Sequence, residues 1–99
     1  MRIASSVEYA TRVMLMLASL EPSATLSAEK ISAAENIPRD YMDQILARLR
    51  RSSLVLSRRG AQGGYCLAKA PSAITMGMIV RAVDETVFEQ VCDRYAQGE

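Results

Sequence analysis

Histidine is absent from the 99 residues, and with it goes the commonest general base and metal ligand. A Ser-His-Asp triad or a His-containing zinc site is therefore excluded within the chain. Cysteine is nearly absent: Cys66 and Cys92 stand far apart, and neither belongs to a Cys-x-x-Cys pair. A disulfide framework and a complete zinc site are both unsupported. Serine, threonine and cysteine are available as nucleophiles, but nothing pairs one of them with a base, so the chain does not read as an enzyme. Long apolar runs are also lacking. The most apolar stretch, residues 13–20, is far shorter than the roughly 20 residues that a membrane span needs, and the first residues lack the layout of a signal peptide. The chain reads as one soluble, cytoplasmic domain with a modest core, at 49% hydrophobic and 23% charged residues.

What charge there is lies unevenly. The net charge is only +1, yet residues 39–59 hold six arginines against Asp40 and Asp43, whereas residues 84–99 hold five acids against Arg94 alone. A basic middle and an acidic tail fit a polyanion-binding face, although a charge cluster alone is more often an ordinary solvated surface.

Helix signals recur along the first half. Ser5 followed by Glu8 forms a capping box ahead of apolar residues at helical spacing through Leu20, and Pro22 ends that helix. Ser27 caps a second, short helix with Ile31 and Ala34 inward, and Asn36 suits a left-handed turn out of it. Pro38 then sits at the first position of a third helix, residues 38–52, with Tyr41, Met42, Ile45, Leu46 and Leu49 inward. Its remaining faces carry Arg39, Asp40, Asp43, Gln44, Ala47, Arg48 and Arg51.

Two short strands, residues 54–57 and 65–68, flank a hairpin at residues 58–64 whose glycines permit positive φ. Pro71 breaks the chain, and Thr75 caps a fourth helix through about Glu85 with Met76, Ile79, Val80 and Val83 inward. The predicted fold is mainly α with a small β-hairpin: a winged helix-turn-helix of three helices, strand, wing, strand and a fourth helix. Residues 1–85 form this domain, and residues 86–99 an acidic tail.

Such a third helix has the donors to read base edges in a major groove. Gln44 can bond an adenine edge, an arginine a guanine edge, and Asp43 can accept from the amino group of cytosine. A solvated face with ordinary i, i+4 pairs remains the plainer reading. In the stretch "RRGAQGGYCL", residues 58–67, Arg58 and Arg59 stand at the hairpin stem, where a guanidinium can enter a minor groove or fork onto a phosphate. A nucleotide pocket is disfavoured, because the loop lacks the Lys-Ser/Thr of a P-loop and the Gly-x-Gly-x-x-Gly spacing, and leads into a strand. Cys66 reads as a packing residue within its strand. Cys92, in the weakly periodic tail, has no core to fill and is open to another role.

The segments "YMDQILARLRR", "RRGAQGGY" and "AITMGMIVRAVDE" resemble the Rrf-two (Rrf2) family of bacterial winged-helix transcription regulators, with the match running from Met1 to about Cys92. The resemblance implies a nucleoid-associated homodimer that binds an inverted repeat in double-stranded DNA, as a repressor or dual regulator. It places the third helix in the major groove and Arg59 in the minor groove. The candidate DNA-binding set is Arg39, Tyr41, Asp43, Gln44, Arg48, Arg51, Arg58, Arg59 and Gly60, with Arg39, Arg48, Arg51 and Arg58 on phosphates. Many family members carry a [2Fe-2S] or [4Fe-4S] cluster and respond to redox, nitric oxide or iron-sulfur status. Cys92 matches the first ligand cysteine of that loop, and Glu8 the region of the first helix that can add a ligand. No further cysteine follows Cys92, so no cluster is expected for residues 1–99 alone. The family's long dimerisation helix would lie beyond them. The competing reading is a winged-helix module that uses the same fold to bind an acidic protein partner without specific DNA binding.

Overall fold

The computed structural model describes residues 5–61 and 63–83. Helix α1 (Ser5–Ala18) buries Val7, Ala10, Val13, Met14 and Leu17, spaced three or four residues apart along one face. Ser5 is itself helical and so does not act as the N-cap that the capping box suggested. The helix stops at Ala18, two residues before Leu20. Ser19 and Leu20 close its last turn with tighter bonds to the carbonyls of Met16 and Leu17, 3.2 Å each.

Helix α2 (Ala28–Glu35) opens as expected, with Ser27 Oγ accepting from the amide of Lys30 at 3.2 Å. Its inward residues are Ala28, Ile31 and Ser32, and Ala34 is exposed. The stripe is rotated because Ser32 is taken inside. Its hydroxyl donates to the Ile37 carbonyl, while the Ile37 amide returns to the Ser32 carbonyl at 3.0 Å. A buried hydroxyl with a partner costs little. Asn36, at φ 53° and ψ 48°, supplies the left-handed residue of the turn.

Helix α3 (Arg39–Arg51) starts one residue later than the sequence suggests. Pro38 stands outside it as the N-cap, at ψ 141°. Met42, Ile45, Leu46 and Leu49 are buried, and Tyr41 is half-buried. The helix closes with a Schellman pair, the amide of Leu54 on the carbonyl of Leu49 and that of Ser53 on Arg50, both at 3.0 Å. Ser53 holds the left-handed position at φ 62°, where glycine is usual.

Because Leu54 completes that cap, strand β1 (Val55–Arg58) begins one residue later than its alternation suggests, and β2 (Gly64–Leu67) begins one earlier. They pair antiparallel, Val55 with Leu67, Leu56 with Cys66, Ser57 with Tyr65 and Arg58 with Gly64. A third segment joins them: Leu26 and Tyr65 exchange both backbone bonds, at 3.0 and 2.8 Å. A single 3₁₀ turn at Pro71–Ala73 leads to α4 (Met76–Val83), where Thr75 Oγ1 accepts from the Met78 amide at 3.2 Å. Ile79, Ala82 and Val83 are buried, but Met76 is 50% exposed. Its helical register points inward, yet it lies at the rim, its sulfur 3.8 Å from the Thr11 hydroxyl.

Helix α1 packs on α2, α3, α4 and β2, and α3 on α1, α2, α4 and β1, so both helices take their seat from one shared core. Among the described residues no helix is long and apolar enough to cross a membrane. The end of the fourth helix, the division at residue 85 and Cys92 lie outside the described residues.

Candidate nucleic-acid interface

Four nearly fully buried side chains, Met42, Ile45, Leu46 and Leu49, hold one side of α3 in the core. The helical period then turns Asp40, Gln44, Ala47 and Arg51 to the opposite side, and all but Ala47 are exposed. Arg39, Asp43 and Arg50 lie along one flank of this outer face. Arg48 lies along the other, about half a turn from Arg39.

The flanks are differently engaged. Arg39 Nε donates to Asp43 Oδ1 at 3.0 Å, with both side chains about half exposed. The hydrogen bond and the carboxylate charge hold the Arg39 guanidinium above its ordinary pKa. In water such a pair contributes little to stability. Its effect is orientation: one oxygen of Asp43 is occupied, and Oδ2 is left as an acceptor. Arg48 Nη1 donates instead to the Val83 carbonyl of α4 at 3.4 Å. Arg50, which residue type and spacing alone did not single out, donates from Nη1 to Ser57 Oγ on β1 at 3.3 Å.

The hairpin presents Arg58 at the end of β1 and Arg59 just beyond it, both exposed. Gly60 turns the chain at φ 105°, and the Gly63 amide closes back on the Gly60 carbonyl at 2.9 Å. A Cβ at Gly63 would run into the carbonyl oxygen of Arg58 and come within 2.9 Å of that of Gly60. Gly64 serves another purpose. At φ 152°, a Cβ there would lie 2.7 Å from the Leu26 carbonyl. Its hydrogen side chain lets Leu26 dock on the sheet.

Tyr41 is half-buried. Its ring meets that of Tyr9 on α1 edge to face, at 5.8 Å between centroids and 86° between planes, an arrangement that positions the helix against its neighbour. Cys66 is free and half-buried, opposite Leu56 on the side of the hairpin away from the buried Val55.

Glu8, which the family resemblance places near the cluster, accepts from Arg12 at 2.8 Å, and Arg12 also reaches Glu35 on α2 at 3.6 Å. No group of three or more metal-ligating side chains forms among the described residues. These residues do not by themselves fit an iron-sulfur cluster, which takes four cysteines or close substitutes.

The whole chain has known relatives. The family model described as "Rrf2: Iron-dependent Transcriptional regulator" matches residues 3–98. The HTH-type transcriptional regulator IscR of Erwinia tasmaniensis is 39% identical over 92 residues, which is 93% of this chain and 56% of that protein. The regulator of the same name from Pectobacterium carotovorum is 38% identical over the same shares. The chain thus spans little more than half the length of these relatives. Among solved structures, CymR, the global cysteine regulator of B. subtilis, superposes with a TM-score of 0.79 at 34% identity, over 85% of this chain and 65% of that one. IscR of T. potens superposes with a TM-score of 0.78 at 29% identity, over 98% and 78%.

Proposed function

The chain belongs to the Rrf2 family of transcriptional regulators, and from that membership we propose that it is a sequence-specific DNA-binding regulator. The observation that carries the reading is the exposed, arginine-bearing face of α3 tied through Arg50 and Ser57 to the strand that ends in Arg58, with Arg59 just beyond it. A helix sized for a major groove and a glycine-turned hairpin beside it present cations to a duplex at two places at once.

Asp43 and Gln44 read bases. Gln44 is suited to the adenine edge and the free oxygen of Asp43 to the cytosine amino group, and each good base contact is worth about 1–3 kcal/mol of discrimination. Arg39, Arg51 and Arg58 engage phosphates, releasing counterions and making affinity fall steeply with salt. Arg59 enters the minor groove, and the Gly60 backbone lets the hairpin approach closely. The protein works in the bacterial cytoplasm as a homodimer on an inverted repeat, with no catalytic step. Regulation through a cluster would draw on Cys92 and on ligands outside the described residues.

Gel-shift titration against random genomic fragments tests the central claim. Selection of one fragment class over bulk DNA is expected, and equal retention of all fragments would leave a protein-binding module as the better reading. Anaerobic purification of the full-length protein tests the regulatory part. A colourless, iron-free protein whose DNA affinity ignores oxidants would remove it.

A further inference from the structure

Two arginines two residues apart on α3 face different neighbours, and the difference changes which of them is the contact residue. Arg50 lies on the flank shared with Arg39 and Asp43, and its Nη1 reaches Ser57 Oγ at 3.3 Å. Ser57 sits two residues before Arg59, so the Arg50 side chain reaches from α3 to the strand that leads to the wing arginines. A guanidinium carries five N–H donors, and one exposed bond to a serine leaves the others for a phosphate. Arg48 is on the far flank, and it donates to a backbone carbonyl of α4 at 3.4 Å.

We propose that Arg50 supplies the phosphate contact bridging the recognition helix and the wing, while Arg48 is a positioning residue that holds α3 in register against α4. The inference rests on the DNA-binding reading above. It extends that reading by assigning a contact residue absent from the predicted set and withdrawing one that was in it.

The test is salt titration of the full chain on two duplexes of equal length, one selected from genomic fragments and one scrambled. Arg50→Ala should reduce the slope of log affinity against log salt by about one unit on both duplexes. Arg48→Gln removes the charge but keeps a donor for Val83, and should leave both the slope and the preference for the selected duplex unchanged. Arg48→Ala should leave the slope unchanged and cut that preference several-fold, which a loss of global stability would not do at a temperature where both variants are folded. Loss of a slope unit in Arg48→Gln, an unchanged slope in Arg50→Ala, or an unchanged preference in Arg48→Ala each overturns the assignment. If the wild-type chain prefers neither duplex, the DNA-binding reading falls and takes this inference with it. That result is distinct from every variant outcome.

Discussion

Helix α3 and the β1–β2 hairpin carry the two halves of the proposed interface, but they are held in unlike ways. The helix is largely self-specifying: a strong apolar stripe, an acid in its first turn, three arginines in its last and a local Schellman closure all favour it before any partner is considered. The hairpin has four residues a side, too few to stand alone in water. It depends on Leu26 from the segment ahead of α2, on Val55 in the core, and on Arg50 reaching over from α3. A reading helix can be encoded locally, whereas its wing is a tertiary object.

The comparison predicts different failures. Leu46→Ala, which empties a fully buried site under α3, should cost about 2–5 kcal/mol of stability in a denaturant titration. Binding should disappear with the fold rather than separately from it. Gly64→Ala should cost about 1–3 kcal/mol through backbone strain and the clash with Leu26. The helices should persist by circular dichroism while hydrogen exchange at Leu26 and Tyr65 accelerates, and a hairpin unaffected by that change would break the contrast.

Arg59→Ala should leave stability alone and weaken binding to the selected duplex by about 1–3 kcal/mol. An affinity equal to wild type would remove the minor-groove role. The smallest effect belongs to the local end of the comparison: Ser53→Gly relieves a left-handed serine at φ 62°, offset by the extra freedom of glycine in the unfolded chain. A gain of about 0.5 kcal/mol in thermal unfolding is expected, with DNA affinity unchanged.

Much of the fold was legible because its cues are local. Ser27, Asn36 and Thr75 cap or turn as their side-chain chemistry suggests, and the inward set of α3 follows from its period. Errors cluster where a neighbour intervened. Ala34 yields its expected inward place to Ser32 because the Ile37 carbonyl can satisfy a buried hydroxyl. Met76 has inward spacing but lies at the rim of the described residues, half exposed. The first strand starts late because Leu54 is used to cap α3.

The candidate interface likewise combines local placement with contacts from distant segments. Asp43, Gln44, Arg51, Arg58 and Arg59 are exposed where residue type and spacing placed them. Arg48 is exposed too but also reaches Val83, and Tyr41 is half-buried against Tyr9. Nothing near either residue in the chain announces those partners, which stand more than thirty positions away.

From the amino acids alone come the helices, the existence of a glycine-turned hairpin, the basic character of the middle of the chain and the exclusion of histidine chemistry. Each depends on residue type and on periods of two to four residues, and such short-range physics does not need a fold to act. The tertiary structure alone decided which arginine faces the wing and which is held by α4. It also decided that Gly64, which residue type assigns to the turn, serves the docking of Leu26. These are facts about approach between distant segments, and a helical period says only which way a side chain leaves its own axis, not what it meets.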